Sequence, residues 1–208
     1  MTMRLALAAL GFAIAFAASA QPAAPPVRMK VASPYVLGKA DAPLTMIEFS
    51  DYECSFCQQY HATAFVEIKR AFIDTGKLRY VVRDYPLPFH RNAIHAARAT
   101  RCAAEQGRYW EMRTALFANS ERLDVDAMVA MGGALKLDET ALRACILNSR
   151  NDPGIRKDII DANAAGVNST PTFVIGRSRG DSVEGALVAG SQPFAAYEAR
   201  IKALLGTP

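Results

Sequence analysis

Apolar and polar positions change period along this chain, and each change marks an element. Residues 42–50, APLTMIEFS, form an almost continuous apolar run bounded by Pro43 and Asp51, the pattern of a central strand buried on both faces. From 54 to 75, Phe65, Ile68 and Phe72 recur at helical spacing, and Gly76 offers a stop, which predicts a helix. In LRYVVRDYP (78–86), Leu78, Tyr80 and Val82 alternate with Arg79, Val81 and Arg83 until Pro86. That alternation predicts a second strand, and the order strand, helix, strand suggests a parallel crossover.

Between Asn92 and about Ala165 no strand pattern occurs. NAIHAARATRCAAEQGRYWEMRTALFA is Ala-rich and helical, with a break at Gly107. Asp124 and Asp138 are expected N-caps for two shorter helices. Asp152 followed by Pro153 is expected to be a further cap with proline at the first helical position, and Gly166 to stop that helix. Strand patterns return in PTFVIG (171–176) and SVEGALVAG (182–190), joined by RSRGD. A last helix after Gln192-Pro193 places Phe194, Tyr197, Ile201 and Leu204 on one face. The expected architecture is therefore an α/β domain, residues 32–91 and 167–208, interrupted by an all-helical insertion at 92–166.

The first twenty residues have a different logic. Arg4, the apolar run LALAALGFAIAFA and the small residues Ala18-Ser19-Ala20 match a cleaved export signal, and the run is short for a membrane span of about 20 residues. QPAAPPVRMK follows, so 21–31 is expected to be a flexible tether. Export, expected to lead to the periplasm, would deliver the four cysteines of the chain to a compartment where disulfides form and persist. Hydrophobic residues make up 51% and charged residues 21% of the 208, a globular and not a disordered composition. The net charge is only +4, and without a basic block or an aromatic-basic stripe no nucleic-acid partner is expected.

Cys54 and Cys57 lie where the apolar strand gives way to the helix. Alone, such a pair is compatible with a redox dithiol, half a metal site or a structural disulfide. At the first turn of a helix, free N–H groups and the macrodipole favour a thiolate on Cys54. Its pKa then falls from about 8.5 into the reactive range. Cys54 is therefore the expected attacking cysteine, and Cys57, one turn further in, the resolving one. His61 could complete three soft ligands on one helical face, but no fourth ligand is evident nearby. No metal is expected, and His61 is read as a surface or packing residue.

EFSDYECSFC after a central strand, the helical insertion, STPTFVIG before a late strand, and a closing hairpin plus helix together resemble the DsbA-like branch of the thioredoxin superfamily. The resemblance covers roughly residues 35 to 205 and implies a thioredoxin fold. It also implies a thiol-disulfide oxidoreductase without a cofactor, acting on cysteine-containing exported proteins and served by a membrane redox partner of the DsbB kind. Thr170-Pro171 aligns with the family's cis-proline, whose preceding residue helps bind substrate backbone. A cis X-Pro bond is a costly feature usually kept for one geometry. Glu48, six residues before Cys54, stands where the superfamily often buries a carboxylate. It is expected to have a raised pKa and to exchange a proton with Cys57. Ser55-Phe56 replaces the commoner proline-containing inner pair, and as part of the substrate surface it bears on the direction of electron flow.

A dithiol oxidase is the expected activity. A reductase or isomerase using the same cysteines, a metal- or copper-handling protein, and a noncatalytic thioredoxin-fold binding module are the alternatives. The superfamily's isomerases generally dimerise, and with no dimerisation segment visible in the tether a monomer is expected. Cys102 and Cys145, in two predicted helices of the insertion, are expected to form a structural disulfide, with free thiols or a redox or metal role as alternatives. His90 and His95 are read as capping or surface residues, with a place bordering the active-site groove as the alternative. Trp110, Phe117 and Phe89 are assigned to the insertion's core, and Arg122, Arg177 and Arg179 to solvated surface.

Overall fold

The computed structural model describes residues 26–206; the expected export signal and the first part of the tether lie outside them. A six-stranded sheet has the order β1-β6-β5-β3-β4-β2. Its strands are β1 (Val27–Lys30), β2 (Val36–Leu37), β3 (Leu44–Ser50), β4 (Leu78–Asp84), β5 (Thr172–Arg179) and β6 (Ser182–Ala189). β3 runs parallel to β4 and antiparallel to β5, with Glu48 opposite Val82 on one side and Phe173 on the other. Every residue of β3 is buried, as expected of its almost continuous apolar pattern. Leu44 and Met46 face one apolar core, while Ile47 and Phe49 face a second on the opposite side of the sheet.

Two strands lie outside the predicted set. Residues 27–30, expected as the end of a tether, pair antiparallel with β6 from Val27–Gly185 to Lys30–Ser182. VRMK has one buried residue, Met29, too little for a period to register in sequence. β2 is a two-residue edge strand on β4.

The helix expected over 54–75 is divided. α1 (Ser55–Ala62) ends at Thr63, whose φ of −126° and ψ of −89° are not helical. α2 (Ala64–Ile68) follows and passes into a π-helical turn, Lys69–Ile73. Gly76, at φ +74°, turns the chain into β4.

The insertion comprises α3 (Ala93–Glu105), α4 (Tyr109–Ala118), α5 (Val125–Ala134), α6 (Glu139–Leu147) and α7 (Asp152–Ala164), and α8 (Phe194–Gly206) closes the chain. Asp124 and Asp138 cap α5 and α6, each accepting a backbone N–H at 2.9 Å. Asp152 lies one residue inside α7, whose N-cap is Asn151. The Asp152 carboxylate instead takes both 2.7 Å hydrogen bonds of Arg98 from α3. Cys102 of α3 and Cys145 of α6 are joined by a disulfide, with Cα atoms 5.9 Å apart.

β4 alternates apolar residues with arginines, and all seven of its residues are buried. Arg79 donates to Thr45 Oγ1 and to the carbonyl oxygens of Ala40 and Gly180, while α7 and α3 bring counter-ions to Arg83 and Asp84. Arg83 pairs with Asp158 and with Asp161 at 2.5 Å, and Arg101 joins Asp84 at 2.7 Å to Asp158 at 2.6 Å. Phe117 is buried in the core of the insertion, and Trp110 packs partly buried against the sheet's core. Phe89, expected to be in a core, is 75% exposed, because it sits in the connector between β4 and α3. Arg122 and Arg179 are exposed and Arg177 is half-buried.

The disulfide closes a loop of 43 residues' separation, for which chain entropy gives a contribution of about 4 kcal/mol before native-state strain is counted. The Cys102→Ala/Cys145→Ala double variant is expected to lose about 2 to 4 kcal/mol in urea unfolding while keeping the reactivity of Cys54. Unchanged stability would show that the insertion does not rely on this crosslink.

Candidate active site

β3 ends at Ser50, and residues 51–54 turn the chain into α1. Asp51 organises this turn from a buried position. Its carboxylate accepts hydrogen bonds from Glu53 N at 2.7 Å, Leu87 N at 2.7 Å and a contact from His90 Nδ1 at 2.9 Å. Glu53 in turn accepts from Asn92 N at 2.6 Å. The turn before the cysteines is thus fastened to the β4–α3 connector, which explains why His90 is not a free surface residue. Burial drives the Asp51 carboxyl above the ordinary aspartate value, opposed by these hydrogen bonds.

Cys54 is the N-cap residue of α1, with an extended backbone. Cys54 and Cys57 are free thiols. Cys54 is 7% and Cys57 0% exposed, so only the first sulfur is open to a partner. As a thiol, Cys54 Sγ donates to the Thr170 carbonyl oxygen at 3.3 Å, across a chain separation of 116 residues. The peptide bond from Thr170 to Pro171 is cis, and Pro171 immediately precedes β5.

The two sulfurs have opposite proton affinities. A hydrogen bond from Cys57 is the largest influence on Cys54. With help from Thr170 and from the Cys57 and Phe56 backbone N–H groups it outweighs burial and brings the Cys54 pKa from 9.0 down to about 6. Burial, the Cys54 hydrogen bond and the charges of Cys54 and Glu48 push Cys57 well above its ordinary value. At neutral pH the reduced site therefore holds a Cys54 thiolate and a Cys57 thiol.

Beneath the dithiol, Glu48 is fully buried on the α1 side of β3. It accepts from Tyr80 Oη and from Arg113 Nη2, the latter at 2.6 Å, and lies 3.2 Å from His61 Nε2. Arg113 also reaches Tyr52 Oη at 3.0 Å, Ser50 Oγ at 3.2 Å and His61 Nε2 at 2.8 Å. The expectation of a raised pKa at Glu48 is corrected here. Burial alone would raise it, but Arg113, His61 and Tyr80 together bring the carboxyl down to about 2. His61 is driven below its ordinary value by burial, with Arg113 adding to the shift and Glu48 opposing it, so its imidazole is neutral.

Sequence reading passed over Arg113 and the partners of His61. One signal was present: Arg113 lies four residues from both Tyr109 and Phe117, a lone cation within an apolar helix face. His61 is not brought into a ligand set. Its ring stacks on Phe117 at 4.0 Å, and among the described residues no group of three or more His, Cys, Asp or Glu is placed to hold a metal. Of the inner pair, Ser55 and Phe56 are exposed, Phe56 to 62%. Phe56 and Phe89 are both uncovered aromatic side chains of the segments that Asp51 fastens together.

A thioredoxin sheet broken by a helical insertion, with a Cys-x-x-Cys dithiol at the start of α1, defines a DsbA-like thiol-disulfide oxidoreductase. The chain belongs to the Thioredoxin family, whose model matches residues 30–189. Among solved structures it is similar to α-DsbA1 of Wolbachia pipientis, with 26% identity and a TM-score of 0.74 over 82% of this chain and 90% of that one. It is also similar to DsbA2 of Pseudomonas aeruginosa, with 27% identity and a TM-score of 0.66 over 83% of this chain and 94% of that one. A curated relative, the Na(+)/H(+) antiporter NhaA 3 of Salinispora tropica, is 34% identical over 146 residues, which is 70% of this chain and 22% of that protein. The chain spans about a quarter of the length of such antiporter relatives. No described helix is long and apolar enough to cross a membrane.

Alkylation of the reduced protein by iodoacetamide is expected to modify Cys54 with a midpoint near pH 6 and to leave Cys57 unmodified through pH 9. The sign of the stability change follows. Because Cys54 titrates at about 6 when folded against an ordinary 9.0, the reduced native state gains stability as pH rises from about 6 towards 9. It loses that stability as pH falls through 6. A Cys54 midpoint near 9 would contradict the assignment.

Proposed function

We propose that the protein is an exported, periplasmic dithiol oxidase that introduces disulfides into cysteine-containing secreted proteins through a Cys54–Cys57 redox disulfide. The observation that carries this reading is the stabilised Cys54 thiolate. A thiolate held by Cys57 and by the backbone N–H groups at the start of α1 favours the reduced dithiol, and a dithiol stable when reduced makes an oxidising disulfide. The low pKa also makes Cys54 a good leaving group.

In the proposed cycle a substrate thiolate attacks Sγ of Cys54 in the oxidised protein. The Cys54–Cys57 bond breaks, Cys57 takes up a proton, and a mixed disulfide forms. A second substrate thiolate attacks the substrate sulfur of that mixed disulfide, forming the substrate disulfide and expelling Cys54 as its stable thiolate. Thr170 and Pro171 border the sulfur on the side where a substrate backbone would run, while Ser55 and Phe56 supply its outer surface. Glu48 contributes by setting the proton affinity of Cys57. Cys102 and Cys145 act as a structural crosslink and take no part in exchange. Turnover requires a membrane partner of the DsbB kind that withdraws two electrons from the dithiol. No cofactor enters the chemistry, and the protein acts as a monomer. The transport activity of the antiporter relatives is not carried over, since the match covers so little of them.

Redox equilibration in glutathione buffers, with alkylation read cysteine by cysteine, is expected to give a potential for Cys54–Cys57 around −120 mV. The Cys57→Ser variant is expected to accumulate a mixed disulfide at Cys54, and Cys54→Ser to be inert. A potential around −270 mV would make the same site a reductase. Equal activity of wild type and Cys54→Ser on a reduced peptide would rule out the enzyme reading.

A further inference from the structure

We infer that Arg113, supplied by the helical insertion, is a positioning residue that fixes Glu48 as a permanent carboxylate, so that Glu48 acts on Cys57 as a standing charge and not as a proton acceptor. The inference rests on the dithiol reading above and concerns the step in which Cys57 resolves a mixed disulfide at Cys54.

The geometry is that of a clamp. Arg113 Nη2 lies 2.6 Å from Glu48 Oε2, and the same guanidinium is held by Tyr52 Oη and Ser50 Oγ. Side-chain exposures of 2% for Arg113 and 0% for Glu48 keep water from competing. Protonating Glu48 would leave a buried guanidinium without its counter-ion, a situation of high cost. The groups facing the carboxylate are Arg113 from α4, His61 and Tyr60 from α1, Tyr80 from β4 and Tyr197 from α8. Tyr80 donates to Oε2, and His61 is held neutral, so Arg113 is the one facing group that carries a full positive charge at neutral pH. Cys57 feels the resulting negative charge, which raises its proton affinity.

Resolution then has a defined balance. The Cys57 thiol loses its proton to solvent, and its thiolate attacks Cys54 Sγ. The bond between Cys54 and the partner sulfur breaks, and the partner leaves as a thiolate. The dithiol is oxidised by two electrons and the partner disulfide is reduced. With Glu48 unable to take the proton, the charge of Glu48 slows this step; a carboxylate serving as proton acceptor would speed it. The two roles predict opposite signs for one substitution.

The test is the rate at which full-length reduced protein, saturated with oxidised glutathione so that resolution limits, releases the second glutathione thiolate between pH 4 and 8. Glu48→Gln keeps the shape and the acceptor for Arg113 and removes the charge. It is expected to accelerate release by about threefold for each unit by which the Cys57 pKa falls, the gain in thiolate being partly offset by lower nucleophilicity. Arg113→Gln is expected to introduce an inflection in the pH profile that wild type lacks, from Glu48 regaining a titration, and Arg113→Lys to remove it again. The charge-balanced Glu48→Gln/Arg113→Gln pair guards against misfolding and should still resolve faster than wild type. Slower release in Glu48→Gln and in the double variant, with an inflection already present in wild type, would overturn the clamp and make Glu48 the acceptor. Absence of any glutathione exchange by wild type would instead overturn the dithiol reading itself.

Discussion

The ion pair between Glu48 and Arg113 is the constraint on which the rest of this structure turns. A carboxylate at the centre of a strand buried on both faces is tolerable only with a counter-ion and hydrogen bonds at hand. The sheet residues directly beside Glu48, Val82 and Phe173, offer no cation; the insertion does, through α4. Because the two charges come from different parts of the chain, the sheet and the helical block have one acceptable docking position. Leaving either charge unpaired costs about 3 to 5 kcal/mol in typical buried pairs. The polar cluster of Arg83, Asp84, Arg101 and Asp158 ties α3 and α7 to β4, so that the insertion is fastened to β3 as well as to β4.

This docking determines the asymmetry of the dithiol. Cys54 and Cys57 pack on the apolar core of the insertion together with Tyr52, Met112 and Phe117. Cys57 is pressed inward, over the charge of Glu48, and keeps its proton. Cys54 stands at the helix start beside Thr170, where its thiolate is stabilised. The segment leading into β5 delivers Thr170 and Pro171 and β3 delivers Glu48, the two strands being adjacent. One chain thus sets a reactive sulfur and a reluctant one a single helical turn apart.

Much of this was legible in sequence because it rests on local periodicity and on composition. The buried run of β3, the alternation in β4, the caps at Asp124 and Asp138 and the parallel crossover each depend on residues close together in the chain. What escaped depends on partners far away. The burial of Arg83 was not legible because nothing local announces that α7 brings Asp158 and Asp161 to meet it. β1 is too short to show a period and is defined by its pairing with β6. Phe89 looked like core because hydrophobicity does not reveal that its connector is pinned through Asp51 with the ring facing outward. Glu48 was picked out correctly as a buried carboxylate candidate, but the sign of its pKa shift was not legible. That sign depends on Arg113, 65 residues later, which local sequence shows only as a charge in an apolar stripe.

The most direct test of this account is the titration of the Glu48 carboxyl itself, followed by carboxyl carbon chemical shift in reduced protein labelled at glutamate and assigned with the Glu48→Gln variant. The account predicts a carboxylate signal unchanged from pH 8 down to below pH 4, with a midpoint near 2. A midpoint between pH 6 and 8 would contradict it, because Glu48 would then be a proton carrier and the clamp by Arg113 would not hold.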